Sequence, residues 1–479
     1  MLNLKPNEVW NYFEEISAIP RCSGHEEKIR EYLLSVADRH NLSSRVDGVG
    51  NVLLSQVESW GADEPLAVLQ SHMDMVCEKD STAEHDFSKD SIELVVDDGW
   101  VTANGTTLGA DNGIGMAIAL ALAGGEFDSG PLDFLFTVNE ETGLVGASGL
   151  DPDLVRSDRL INLDSEEFGT FTVGCAGGGT TTINLQLDFS GSEAKEGDLL
   201  ELSVAGLTGG HSGEDIDEGR ANALKLLARV LKKMKEGPGL NLVEIEGGGK
   251  HNAIPREASA VFSTSEAREG YQGIVEQYRS IFLEEYRNSE KKLDLSLVES
   301  IHSNSGNVMS EGTTCNVIDL LRSLPNGVIR YDQELSSLVE TSTNLASIRQ
   351  SSNSLEFLIS TRSSLESQLE DVRGRIEIIA GCYRAGVDKN EPYPAWSPDF
   401  SSRLLADAKD AFECVYGREP EIKSTHGGLE TGVIGKKVEG LDMIAMGPTI
   451  ESPHSPDECV KIATVENFWN FLLEFLGSF

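Results

Sequence analysis

The sequence predicts an α/β domain that is interrupted by an inserted second domain. Three observations lead there. Short apolar runs alternate with helical stretches down to about residue 180, the pattern of an α/β core. After Cys175 the runs change to half-exposed, alternating strands. Finally, chemistry-bearing residues in the first part, His72 foremost, find a counterpart near the C-terminal end in His454, so the first domain must be discontinuous. The boundaries drawn on this basis are 1–183 and 394–479 for the α/β domain and 184–393 for the insertion.

The elements follow in order. Residues 7–17 and 25–39 read as helices, with Ser23 as the expected N-cap of the second. NVLLSQV and PLAVLQS are strands separated by the turn-rich ESWGADE. VVDDGWVTANGTTLGADNG is strand and turn and leads into GIGMAIALALAG, a helix of small residues suited to close packing on a sheet. LDFLFTV and RLINL are buried-strand runs. In the insertion, TTTINLQLDF, DLLELSVAGL, NLVEIEG and ASAVFST are strands, and ALKLLARVLKKM is an amphipathic helix. A similar order recurs in SLVETSTNLASIRQ, SLEFLISTRSS and the helix SLESQLEDVRGRIEIIAGCY, which suggests two related halves. NEPYPAWSPDF, with three prolines, marks the crossing back. Helix SSRLLADAKDAFECVYG, the strand-turn-helix EIKSTHGGLETGVI, strand LDMIAMGP and helix KIATVENFWNFLLEFLG complete the chain.

Composition excludes several function classes. At 479 residues the chain needs two or three domains. Its formal net charge is -40, from 79 acidic and 39 basic residues, which argues against nucleic acid or an anionic membrane as partner. The acidic, amphipathic start lacks the basic and apolar regions of a secretory signal. The seven cysteines (Cys22, Cys77, Cys175, Cys315, Cys382, Cys414 and Cys459) are odd in number and widely spaced. They are expected to be free thiols in a reducing cytoplasm, with Cys77 and Cys459 as small buried fillers.

The candidate site residues sit at the ends of the buried runs. His72 and Asp74 close LAVLQSHMD, Glu140 and Glu141 follow LDFLFTVN, Asp164 closes LINLD, Asp111 opens the small-residue helix, and His454 lies in GPTIESPHSPDE. Strand ends are where α/β folds collect ligands. Singly, DNG is an ordinary turn, Asp164 a fair helix cap, and His454 as readily a surface residue. Jointly, imidazoles and carboxylates in these contexts point to a two-metal hydrolase centre, since both ligand types suit zinc, cobalt or manganese. Asp74, two residues from His72, is placed to orient the imidazole. The adjacent Glu140 and Glu141 suit a division between proton carrier and ligand. In the insertion, His211 in LTGGHSGEDI and Asn252 in KHNAIPREA are candidates to face a substrate, and Arg362 in LISTRSS is a candidate carboxylate binder that equally suits a surface ion pair. His426 and Glu430 flank the glycines of HGGLE.

These motifs resemble the aminoacyl-histidine dipeptidases of the M20 metallopeptidase family. The likeness spans nearly the whole chain through IPRCSGHE, SHMDMVCEKD, LGADNGIG, NEETG, LDSEE, GGHSGEDI, HNAIPRE, TSTNLASIR, HGGLE and HSPDE. It implies a zinc-peptidase-like catalytic domain, with a mixed sheet and helices on both faces, interrupted by a two-part α+β lid. It further implies two divalent ions, zinc first and cobalt or manganese as alternatives, held by His72, Asp111, Glu141, Asp164 and His454 with Asp111 as the bridge. Glu140 becomes the general base and acid, Asp74 the orienter of His72, and His211 the donor to the oxyanion. Asn252, Arg362 and His426, with His211, become substrate contacts.

The implied substrate is a short unblocked peptide, Xaa-His dipeptides first, and the lid is a candidate surface for a homodimer. His251, Gly427 and Thr431 depart from the expected arginine, alanine and cysteine, which bears on side-chain preference. The rivals are another M20-type amidohydrolase (a tripeptidase, carboxypeptidase or deacylase) and a non-catalytic metal-binding assembly protein.

Overall fold

A computed structural model describes residues 2–57, 66–125, 127, 130–193, 199–300, 307–333 and 338–479. The run ESWGADE lies outside the described residues. The chain divides into two compact units. One comprises Met1–Cys175, Trp396–Ser424 and Leu429–Phe479, and the other Ala176–Ala395 and Thr425–Gly428.

The first unit is built on an eight-stranded sheet. Its order is Ser43–Val46, Val52–Ser55, Leu132–Thr137, Ala67–His72, Arg159–Asn162, Asp442–Ala445, Thr170–Cys175 and Glu421–Thr425. Ala67–His72 is parallel to both neighbours, and Asp442–Ala445 is parallel to Arg159–Asn162. The central strands are buried on both faces, which is why their sequences are apolar apart from a few buried polar residues such as Gln70 and Asp133. Leu54, Leu69, Phe134, Phe136 and Ile161 join one core with the helices Asn7–Ser17, Glu27–His40, Ala110–Gly124, Arg403–Tyr416 and Ile462–Gly477. The alternate residues Leu53, Val68, Leu135 and Leu160, also buried, belong to the opposite face. The small-residue run of Ala110–Gly124 allows close approach. A Cβ added at Gly115 would lie only 2.7 Å from the Leu163 carbonyl oxygen.

The second unit carries a nine-stranded antiparallel sheet. It runs Asp294–Glu299, Leu199–Ala205, Ala258–Ser263, Asn241–Gly248, Val339–Gln350, Ser354–Ser363, Gly177–Gln186 and Gly386–Lys389, with Gly327–Tyr331 also paired to Val339–Gln350. The two sequence halves thus share one sheet, joined where Gly247 and Gly248 pair with Ile348 and Ser347. Residues of Ala223–Glu236, Glu269–Glu285, Glu311–Ser323 and Glu366–Cys382 fill its core. Asn222 caps the first of these helices by accepting from Leu224 N–H and Lys225 N–H.

Three expectations are corrected. Ser23 does not cap the second helix. That helix begins at Glu27 after Glu26, without a side-chain cap, and the Ser23 hydroxyl points to the Met75 carbonyl at 3.4 Å. Cys22 and Cys77 are not free thiols but form a disulfide, with Cα atoms 5.7 Å apart. The odd count leaves Cys175 buried, Cys315 and Cys459 half-buried, and Cys382 and Cys414 exposed. Cys77 and Cys459 are therefore not buried fillers. Among the described residues no helix is long and apolar enough to cross a membrane.

Candidate metal centre

Three parallel strands of the first unit end side by side and deliver the acidic and imidazole groups. His72 ends Ala67–His72, Glu140 and Glu141 follow Leu132–Thr137, and Asp164 follows Arg159–Asn162. Asp111 lies at the start of Ala110–Gly124, and His454, at φ 60°, sits in the loop after Ile450–Glu451.

Asp111 stands in the middle. Its Oδ1 lies 3.0 Å from His72 Nε2 and its Oδ2 lies 3.0 Å from His454 Nε2. Asp164 Oδ1 is 3.4 Å from His72 Nε2, and Glu141 Oε2 is 2.9 Å from His454 Nε2. The result is two half-sites, His72 with Asp164 and His454 with Glu141, sharing one carboxylate. Asp74 is fully buried and serves both halves from behind. Its Oδ1 is 3.3 Å from His72 Nδ1 and accepts from Glu140 N–H at 3.0 Å, while Oδ2 accepts from Glu141 N–H at 3.2 Å.

The electrostatics follow from this crowding. Burial opposes the charged form of His72, but Asp164, Asp111 and Asp74 outweigh it and raise its pKa well above the usual value. Asp111 and Glu141 hold His454 up at about 11. Burial pushes Asp164 up to about 6 and Glu140 well above the ordinary range, with Asp164, Glu430 and Glu141 adding repulsion at Glu140. Burial also opposes ionisation of Asp74, yet its bond with His72 and its backbone donors hold it at about 2.

This donor set fits divalent cations. One ligand atom from each of His72, Asp111 and Glu141 lies within 4.8 Å of the others. Glu141 Oε1 is buried without a hydrogen-bond partner, an acceptor awaiting a charge. Carboxylates and imidazoles that converge in this way are unfavourable without a cation and are the usual ligands of zinc-type ions.

Several residues that sequence reasoning missed hold the centre in place. Glu458, 2 % exposed, accepts from four successive backbone N–H groups: Leu108 at 2.9 Å, Gly109 at 3.0 Å, Ala110 at 2.7 Å and Asp111 at 3.2 Å. Gly109 takes φ 70° in this loop, which glycine adopts without a steric penalty. Asn112 donates to Asp164 Oδ1 at 2.6 Å and to the Leu163 carbonyl at 2.8 Å. The buried Arg21 donates to the carbonyls of Asp74 at 2.7 Å, Met73 at 3.3 Å and Gly109. Beneath the ligands, Glu430, which the sequence did mark in HGGLE, accepts through Oε2 from Gln70 and Thr137, each at 2.6 Å, and Gln70 Oε1 accepts from Asn162 at 2.6 Å. Burial pushes Glu430 up to about 7. The available signal was a polar residue inside each buried run, at Gln70, Thr137 and Asn162.

The second unit gathers its own group. Arg362, only 7 % exposed, donates to Tyr393 Oη at 3.0 Å, approaches the His426 carbonyl at 3.5 Å and lies 3.4 Å from His211 Nε2. It is therefore not a surface ion pair. Glu214 N–H donates to His211 Nδ1 at 3.2 Å, which favours the ring proton on Nε2, while the Arg362 guanidinium also faces Nε2 with a donor. Burial and then Arg362 lower the His211 pKa, against Glu214 and Asp215, which raise it. His426 Nε2 is 2.8 Å from Ser342 Oγ, and burial with Arg362 lowers its pKa to about 3. The half-buried Asn252 offers its backbone carbonyl to Ser212 N–H at 2.8 Å.

A carboxylate shared between two imidazole–carboxylate pairs at the ends of parallel strands defines a candidate dinuclear metallohydrolase. The chain matches Peptidase family M20/M25/M40 over residues 68–478 and belongs to that family. It is 38% identical over 477 residues to the cytosol non-specific dipeptidase of Escherichia coli (strain K12), covering 99% of this chain and 98% of that protein. Among solved structures it is similar to the aminoacylhistidine dipeptidase of Vibrio alginolyticus, with a TM-score of 0.85 and 37% identity over 99% of this chain and 97% of that one. A tripeptidase of Staphylococcus aureus shares the fold, with a TM-score of 0.56 and 16% identity over 99% of this chain and 98% of that one.

Proposed function

We propose that this chain is a dinuclear metallopeptidase that hydrolyses unblocked dipeptides, Xaa-His among them. The observation that carries the reading is Asp111, which turns one oxygen to His72 and the other to His454. The likeness to two dipeptidases supports the substrate class. We assign His72, Asp164 and Asp111 to one ion and His454, Glu141 and Asp111 to the other, with zinc preferred and cobalt or manganese as alternatives. When bound, the ions would polarise the scissile carbonyl and make a water acidic near neutral pH.

The remaining roles belong to the protein. Glu140 accepts the proton of the attacking water on its carboxylate and delivers it to the leaving amide nitrogen. Its raised pKa suits it to hold that proton between the two events. Asp74 keeps His72 in one tautomer and fixes the backbone of both glutamates. We assign the second unit the role of a lid, with His211 donating Nε2–H to the oxyanion. Arg362 would take the substrate carboxylate, and Asn252 and His426 its backbone.

We further assign the enzyme to the cytoplasm, following the naming of the bacterial relative. Pairing of subunits through the second unit is part of the proposal. Asp294–Glu299 ends its sheet among the described residues and offers an edge to a second copy. Sedimentation of the purified chain tests the pairing. The test of function is turnover by the zinc-loaded protein on a panel of Xaa-His dipeptides, other dipeptides, tripeptides and acyl-amino acids. The reading expects dipeptides to be cleaved fastest, and preference for tripeptides or acyl-amino acids would contradict it.

A further inference from the structure

The Cys22–Cys77 disulfide lies beside the metal centre and joins the two segments that position His72 and Asp74. Cys77 follows Asp74 by three residues, and Cys22 follows the buried Arg21. The two segments run as a short parallel bridge. Met75 N–H donates to the Arg21 carbonyl at 3.1 Å, and Ser23 N–H donates to the Met75 carbonyl at 3.3 Å. Between them the Arg21 guanidinium holds the carbonyls of Met73 and Asp74 and reaches across to that of Gly109, next to the loop of Asp111. On its other side the 76–78 segment is tied to Thr107, whose hydroxyl donates to the Val76 carbonyl at 2.8 Å and whose N–H donates to the Glu78 carbonyl at 2.9 Å. The covalent link therefore closes a clamp around the piece of chain that leaves the His72 strand.

We propose that Cys22–Cys77 is a thiol–disulfide exchange site, and that its oxidation tightens the metal centre by clamping the His72–Asp74 segment. Both cysteines are half-buried, not enclosed in the core, which suits exchange with a dithiol. One thiolate of the dithiol attacks a sulfur of the pair and forms a mixed disulfide. Its second thiol then displaces the remaining cysteine. Two electrons and two protons pass to Cys22 and Cys77, and the reductant leaves as a disulfide. Oxidised glutathione or a protein disulfide reverses the exchange. In the cytoplasm proposed above, an accessible disulfide is characteristically transient and redox-sensing. Once reduced, the 21–23 segment is held by its hydrogen bonds alone. The loosened Asp74 then orients His72 less firmly and places the backbone of Glu140 and Glu141 less firmly.

The inference rests on the metal-centre reading, so its test reads metal binding as well as turnover. The full chain, stripped of metal, is prepared oxidised and after reduction by thioredoxin that is then removed anaerobically. Each form is titrated with Zn2+ against a chromophoric chelator. Denatured thiol counts of five before and seven after reduction, from the seven cysteines of the chain, establish the two states. The expected result is Zn2+ affinity about tenfold weaker in the reduced form, the size typical of a disturbed ligand-orienting group, with kcat reduced and KM little changed. The double variant Cys22→Ser/Cys77→Ser should match the reduced form and ignore thioredoxin. Equal Zn2+ affinity and kcat in both wild-type forms would overturn the proposal, as would a double variant that still responds or seven thiols in the air-oxidised protein. Absence of Zn2+ binding in either form would overturn the metal-centre reading together with it.

Discussion

Glu458 and Asp111, 347 residues apart, are joined by a buried carboxylate: Glu458 Oε1 accepts from Asp111 N–H at 3.2 Å while its two oxygens also gather the three preceding N–H groups. The same loop carries His454, whose Nε2 meets Asp111 Oδ2. The C-terminal loop thus fixes the central carboxylate twice, once through its backbone and once at the ligand face. Glu458→Gln leaves an amide N–H facing N–H donors. It should cost on the order of 2–3 kcal/mol of stability, as for loss of charged hydrogen bonds, and should weaken zinc binding. Urea denaturation and a zinc titration check both. Unchanged values would show that the carboxylate does not position Asp111.

The proposed role of Glu140 is to move a proton and not to hold an ion. Glu140→Gln should keep wild-type zinc content and lose roughly 10²–10⁴ in kcat, the range for a general base. Metal analysis beside steady-state kinetics decides this, and normal turnover in a fully loaded variant would remove the role.

His211 is the proposed oxyanion donor: burial and Arg362 lower its pKa, which favours the neutral ring, and Glu214 N–H occupies Nδ1. His211→Ala should lower kcat by roughly 10²–10³ with a smaller change in KM, because such a donor acts mainly in the transition state. A rise in KM with kcat intact would make His211 a ground-state contact instead.

Glu430 makes the metal-stripped protein sensitive to pH. Its carboxyl is raised from 4.5 in the unfolded chain to about 7 in the fold. Between these values the folded state binds more protons. The group's contribution is therefore fully present below pH 4.5 and is lost as pH rises through 7. Glu430→Gln should flatten the fall in Tm from pH 5 to pH 7.5 relative to wild type, measured by calorimetry without metal. An identical slope would place the titration elsewhere.

Most of the residues that the sequence placed at the candidate centre end an apolar run. His72, Glu140, Glu141 and Asp164 follow buried strands, so their place at the strand ends was set by the same pattern that set the strands. The supporting network was not legible for a physical reason. A buried Gln70 or Asn162 has no periodicity of its own, and the four backbone donors of Glu458 leave no trace in side-chain identity. The Cys22–Cys77 pair was missed because an odd number of scattered cysteines argues for thiols, and connectivity is a property of the fold. The second unit was partly legible. Strands such as Leu199–Ala205 follow alternation, but Val339–Gln350 is buried along most of its length, and the helices Glu269–Glu285 and Glu311–Ser323 were not singled out.

Asp111 is the carboxylate that would hold both proposed ions, so metal stoichiometry should depend on it. The stripped protein is reloaded with zinc and its intact mass measured under native conditions, for wild type and for Asp111→Asn. Two zinc ions are expected per wild-type chain, and at most one in Asp111→Asn with turnover lost. A wild-type chain that binds no zinc, or an Asp111→Asn chain that still binds two and turns over normally, would contradict this role of Asp111.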